Sequence, residues 1–158
     1  MFRPIRRTKR QIDDEAAKEL LRKSRRGVLA VNGDDGYPYA VPINFLYVEE
    51  DNKIYFHGAK AGHKIDALKK SDKVCFTVYG NEFIKDPEWA PYVQSTVVFG
   101  RCHLLETNVE TLAMVKRFAM KYFPSEDIAD KEIENSGKAM QIFEIEIEHL
   151  AGKQIQER

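Results

Sequence analysis

From Phe56 the chain reads Phe56-His57-Gly58-Ala59-Lys60-Ala61-Gly62-His63-Lys64, a strand end, a turn of small residues and the start of a helical pattern. That order suits an anion. The first N–H groups of a helix lack intrahelical partners and carry partial positive charge, and small residues let a phosphate approach the backbone. His63 and Lys64 add charge-assisted donors at the same place. The spacing is neither that of a P-loop nor the GxGxxG of a dinucleotide fold. A small-residue turn before a helix is also ordinary connection chemistry, with Lys64 a solvated charge and His57 a structural histidine, and the residue types leave both readings open.

The elements around this stretch follow from periodicity and turn chemistry. Ile12, Ala16 and Leu20 recur at helical spacing behind Asp13 and Asp14, which predicts an amphipathic helix over 13–24. Residues 27–32 and 38–49 are apolar runs joined by Gly33-Asp34-Asp35-Gly36, a hairpin signal, and 53–57 follows after Asp51-Asn52, so three consecutive antiparallel strands are expected. Pro42 cannot donate to a ladder, which places the second strand at an edge, or bent or bulged there. Ala61, Ile65 and Leu68 predict a helix that ends near Lys69-Lys70-Ser71. Strands are expected at 73–79 and 92–105, separated by a loop with Pro87, Trp89 and Pro91. A helix over 108–122 places Leu112, Val115, Ala119 and Tyr122 on one face before Pro124. Over 140–149, Phe143, Ile145 and Ile147 alternate with Glu144, Glu146 and Glu148, a half-buried strand with an acidic outer face. Six strands with interspersed helices predict a mainly β fold with peripheral helices (α+β), a small antiparallel barrel.

Composition bounds the rest. With 158 residues, 43% of them hydrophobic, the chain suits a single domain over 1–158, and Lys plus Arg equals Asp plus Glu at 25 each, so no global field favours a nucleic acid. The basic run at the start, Arg3, Arg6, Arg7, Lys9 and Arg10, reads as a solvated N-terminal arm over 1–11. Cys75 and Cys102 sit in strand-like runs without metal-ligand spacing, so buried free thiols and no metal site are expected. No apolar segment is long enough to span a bilayer, which predicts a soluble cytoplasmic protein without a membrane partner.

Three blocks, Gly36 to Phe45, Ile54 to Ala59 and Gly62 to Leu68, together resemble the FMN-binding core of the pyridoxamine 5′-phosphate oxidase-like flavoproteins, in particular their nitroimidazole-resistance branch. Ser95-Thr96-Val97-Val98-Phe99-Gly100-Arg101 resembles the next block, and the likeness spans roughly residues 10–150. The resemblance implies a six-stranded antiparallel split β-barrel that forms a homodimer with FMN (flavin mononucleotide) at the subunit interface. It implies that His57, Gly58, Ala59, His63 and Lys64 hold the phosphate, and that the isoalloxazine ring lies along Pro42, Ile43 and Asn44. Ser95, with Tyr92 or Trp89, would come from the partner. Asn44 stands where the fuller oxidase pattern has an arginine, and the C-terminal signature of true pyridoxamine phosphate oxidases is not evident, so that oxidation is not expected.

The activity so implied is an FMN-dependent oxidoreductase that reduces nitroaromatics such as 5-nitroimidazoles or related small molecules, with His57 as the catalytic group near the reacting face. The other class of function compatible with the same barrel is a non-catalytic flavin- or haem-binding or redox-responsive module.

Overall fold

The expected antiparallel sheet is present, and it curls upon itself through a break in one strand. A computed structural model describes all residues from Met1 to Arg158. Its strands are β1 (Gln11–Ile12), β2 (Arg26–Asn32), β3 (Pro38–Asn44), β4 (Leu46–Val48), β5 (Lys53–Ala59), β6 (Lys73–Phe83), β7 (Tyr92–Leu105) and β8 (Met140–Gln156). The helices are α1 (Asp14–Lys23), α2 (His63–Lys70), α3 (Val109–Tyr122) and α4 (Glu126–Ser136). Strand order is β3-β2-β6-β7-β8-β5-β4, with β1 pairing onto β8. The count of six strands is therefore corrected to eight: the run over 38–49 divides at Phe45 into β3 and β4, and β1 is an added short pair.

That division also corrects the expected three-stranded meander. Arg26–Asn32 pairs with β3 and Lys53–Tyr55 pairs with β4, yet β3 and β4 stand at opposite ends of the strand path. One residue of chain joins the two ends, so the sheet must roll round to meet itself. Pro42 accordingly lies on an edge strand, opposite Val28, the kind of strand in which a residue without an N–H is tolerated.

Inside the roll, alternate residues build one core. Leu29 and Val31 of β2, Val74, Phe76 and Val78 of β6, Ile54 and Phe56 of β5 and Phe143, Ile145 and Ile147 of β8 belong to a single buried cluster. Leu20 and Leu21 of α1 and Ile65, Ala67 and Leu68 of α2 join it. Ala61 precedes α2 and is exposed, which corrects its expected place on that helix face. Asp13 caps α1 by accepting from Ala16 N–H at 2.7 Å, and buried Thr96 donates to the Ala17 carbonyl at 2.9 Å, fixing α1 to β7. Opposite the core, Glu144 pairs with Lys53 at 3.1 Å and Glu148 with Arg101 at 3.3 Å, as the acidic outer face of β8 predicts.

A bulge sets the twist between β7 and β8: Phe99 pairs with His149 but Gly100 with Ile147, leaving Glu148 over. A Cβ on Gly100 would stand 2.2 Å from the Glu146 carbonyl oxygen, so only glycine fits. Cys102 is buried and Cys75 only partly so, which corrects the expectation of two buried thiols. No helix is long and apolar enough to cross a membrane.

Candidate functional site

The break at Phe45 leaves a wedge in the barrel wall. Leu46 pairs with Tyr55, so the same register continued would place Asn44 opposite His57; instead Asn44 pairs with Arg26 on the far strand. Residues 42–44 and 57–59 therefore diverge from an apex at Phe45. α3 staples that apex. The Tyr122 hydroxyl accepts from Phe45 N–H at 2.9 Å and lies 2.6 Å from the Phe45 carbonyl and 2.8 Å from that of Arg25, to one of which it donates. Lys121 donates to the Ser24 carbonyl at 2.7 Å and the Phe45 carbonyl at 3.0 Å, with its Nζ 4.2 Å from the centre of the Phe45 ring. Burial, helped by Arg25, pulls the Lys121 ammonium down to about 8.

α2 lies across the mouth of the wedge. His63 stacks on Tyr39 of β3 with ring centres 4.0 Å apart, and its Nε2 is 3.8 Å from Asp34. On the other side Lys64 reaches over β5: a Cβ on Gly58 would meet its Nζ at 3.1 Å, and the Nζ lies 5.6 Å from the centre of the Phe143 ring. Asp34 takes Lys70, at 3.3 Å, as well as His63. Lys64 makes no ion pair. The helix start beside it has no side-chain cap, because the N-cap is Gly62 at φ 134°, so its first N–H groups are left for another acceptor.

His57 faces outward from the core and meets Phe118 of α3 edge-on, ring centres 4.9 Å apart. Solvent still reaches the residue, yet the groups crowding its ring, and secondarily the Lys64 charge, hold its pKa below the ordinary histidine value of 6.5. The imidazole is neutral at pH 7. On β3, Ile43 turns inward against the core, whereas Pro42 and Asn44 are exposed. Asn44 donates to the Arg25 carbonyl at 3.1 Å, and Pro42 borders a groove of about 370 Å³ with Arg25, Arg26, Thr77 and Tyr79.

An unpartnered ammonium, a free helix start and a side-chain-free strand position thus converge where the edge strand and β5 part. Those features fit an anion such as a phosphate. The remaining predicted residues lie elsewhere. On the outer face of the sheet Pro42, Val28, Thr77 and Val97 are in register across four strands. Val97 is three strand spacings from Pro42 and Ser95 lies two residues further along β7, so Ser95 and Pro42 are roughly 16 Å apart. Tyr92 is occupied at the β6–β7 hairpin, its hydroxyl donating to Glu88 at 3.1 Å and its ring stacked on Phe83 at 5.1 Å, while Trp89 is 75% exposed in the loop. The chain by itself brings Pro42, Ile43, Asn44, His57, Gly58, Ala59, His63 and Lys64 around one wedge and leaves Tyr92 and Ser95 outside it. Sequence reasoning missed Lys121, Tyr122, Arg25 and Arg26. Only the run Arg22-Lys23-Ser24-Arg25-Arg26 signals the last two, and nothing local signals the staple.

Comparison with known proteins bears on this arrangement. The family model of pyridoxamine 5′-phosphate oxidase matches residues 13–154. The chain belongs to that family. Among solved structures, the chain is similar to a protein of Bacteroides thetaiotaomicron assigned to 5-nitroimidazole antibiotic resistance, with a TM-score of 0.75 at 18% identity, covering 92% of this chain and 87% of that one. A FAD-binding protein of Mesorhizobium loti matches with a TM-score of 0.66 at 21% identity over 92% of this chain and 97% of that one. A flavocytochrome of Azotobacter vinelandii gives 0.73 at 21% identity over 95% of this chain and 71% of that one. At these identities the likeness establishes the fold. No functionally curated protein matches the chain.

Proposed function

We propose that this pyridoxamine 5′-phosphate oxidase family member is an FMN-binding oxidoreductase that reduces nitroaromatic or related small molecules, and that it works as a homodimer with the flavin between subunits. The observation that carries the reading is Lys64: it is held over Gly58 at an uncapped helix start with no carboxylate to neutralise it. A phosphate is the group that uses all three features. The family and the flavin-binding proteins among its structural neighbours supply the flavin, and the mononucleotide is the form whose single phosphate matches one cradle.

Bound FMN would supply the electron chemistry, passing to the substrate electrons taken from a reductant. The chain's own part is placement. Lys64 and the first N–H groups of α2 would hold the phosphate, and the exposed edge of Pro42 and Asn44 would line the ring. The Tyr122 and Lys121 staple fixes the corner from which that edge departs. His57, neutral beside the wedge, holds a proton on one ring nitrogen, suited to a reaction in which nitro oxygens leave as water.

The distance argument favours two subunits. Ser95 is too far along the sheet to reach a flavin at Pro42 of the same chain, whereas a second chain packed on this face would present its own Ser95. The face carries Val28, Thr77, Val97 and Ala151, with Tyr79 74% and Phe99 38% exposed, an apolar surface that a partner would cover.

The test is the visible spectrum of the purified protein after saturation with FMN, followed by turnover of a 5-nitroimidazole with a reductant. Two flavin bands, FMN released on denaturation and loss of the nitro chromophore support the reading. A colourless protein removes the flavin site, and a yellow protein without turnover leaves a binding module instead of an enzyme.

A further inference from the structure

His57 also lines a pouch of about 150 Å³ between α3, α4 and the start of β8. Its base is the buried face of α3, with Val115, Phe118 and Ala119, and half-buried Ile133 of α4 and Met140 of β8 wall it. His57, Glu132 and Ser136 stand exposed around its mouth. Met140 pairs with Ala59 and Ile142 with His57, so the pouch meets the wedge where β5 ends.

A space of this size takes one ring. An apolar cavity of about 150 Å³ admits a molecule as large as benzene, whereas sites for larger ligands run to about 300–1,000 Å³. A flavin's fused ring system does not fit, so the pouch is separate from the seat of the cofactor. Its lining contains neither lysine nor arginine, and its one carboxylate is Glu132. An anionic ring would therefore lose water there without meeting a cation, and a cationic one would face the Lys64 charge that His57 already feels. The neutral His57 imidazole and the Ser136 hydroxyl suit the oxygens and ring nitrogens of an uncharged heteroaromatic.

The way α4 is held leaves an entrance. Lys116 of α3 ties the first half of α4 through Glu126 at 2.6 Å and Asp130 at 3.1 Å. The half that lines the pouch, with Glu132, Ile133 and Ser136, makes no ion pair, and Ala129 is the one buried residue of the whole helix. A segment with so few buried contacts opens at low cost.

We infer that this pouch is the substrate pocket beside the proposed flavin site, that it takes a single uncharged aromatic or heteroaromatic ring, and that Glu132, Ile133, Ser136 and Met140 select the ring's charge and size. Its role as a substrate pocket rests on the flavin reading; its capacity to hold a ring does not.

The test compares 1,2-dimethyl-5-nitroimidazole, 1-nitronaphthalene and 4-nitrobenzoate as substrates of the full-length protein saturated with FMN. The parent should show its lowest KM with the first, since the others add a fused ring and a carboxylate. Ser136→Phe fills the exposed mouth and should raise the KM for the nitroimidazole about tenfold or more, the scale of small steric changes in an apolar pocket. Bound FMN, kcat and the circular dichroism spectrum should stay near the parent's. Glu134→Phe, an exposed position of the same helix outside the lining, should leave that KM unchanged. Met140→Ala should lower the KM for 1-nitronaphthalene, a gain that lost packing alone would not produce. Equal KM values in Ser136→Phe and Glu134→Phe, or a parent without preference for the single uncharged ring, overturn the inference and leave the flavin reading standing. If the protein takes up no FMN, or takes it up without turnover, the enzyme reading falls and the role as substrate pocket falls with it. Calorimetric titration of the nitroimidazole into the parent and Ser136→Phe then reads the pouch alone. Weaker binding in the variant keeps it as a ring site, and equal or absent binding overturns that as well.

Discussion

Replacing Lys64 by glutamine probes the proposed flavin cradle with little effect on the fold. In the protein without ligand, Lys64 makes no ion pair and lies 5.6 Å from the centre of the Phe143 ring, an arrangement worth about 0.5–1 kcal/mol. Its loss should move the melting temperature of a chain this size by only a few degrees. Against a phosphate the same ammonium would make a hydrogen bond between charged groups, worth about 1.5–3 kcal/mol, which converts to roughly tenfold to 150-fold in affinity. Lys64→Gln should therefore bind FMN at least tenfold more weakly at nearly unchanged stability, and Lys64→Glu, with like charge facing the phosphate, more weakly still. Lys70→Gln is the control: it lies on the same helix, but its partner is Asp34 at 3.3 Å, so flavin affinity should stay near the parent's. Flavin fluorescence titration reads all three. An FMN dissociation constant in Lys64→Gln equal to that of Lys70→Gln would refute the assignment of the cradle.

Gly100→Ala places a Cβ 2.2 Å from the Glu146 carbonyl, and overpacking against backbone should cost about 1–3 kcal/mol or more, visible as a lowered urea midpoint. Tyr122→Phe leaves Phe45 N–H without its 2.9 Å partner; an unsatisfied buried donor costs about 1–3 kcal/mol, and a stability equal to the parent's would remove the staple. His57 has a native pKa below its unfolded value of 6.5, so the unfolded chain binds the extra proton first and stability should fall as pH drops through 6.5; His57→Gln should flatten that fall. If His57 also supplies a proton, His57→Gln should lower nitro turnover per bound FMN by about 10²–10⁴, and an unaltered rate at full flavin occupancy would confine it to a structural role. Lys121 titrates natively at about 8 against an ordinary 10.5, so its burial penalty is relieved, and stability rises, as pH climbs from about 8. Subtracting the Lys121→Met curve from the parent's between pH 8 and 9 isolates that rise.

What the sequence determined here is what neighbouring residues can settle between themselves. Asp13 ahead of an apolar helical face yields α1, the alternation of Phe143, Ile145 and Ile147 with glutamates yields β8, and Gly58 to Lys64 yields a strand, a turn and an uncapped helix start. α4 was not legible because Ala129 is its one buried residue and Ile128 is exposed, so it has little apolar periodicity to detect. Tertiary structure alone decided that the run over 38–49 breaks at Phe45, because the groups that satisfy the backbone there, Lys121 and Tyr122, lie far along the chain. A continuous β-branched and aromatic run gives no local reason to break; the reason is a hydroxyl and an ammonium delivered by another helix. The wedge between β3 and β5, and with it the meeting of Pro42, Asn44, His57 and Lys64, follows from that break, while the strand order β3-β2-β6-β7 separates Ser95 from Pro42.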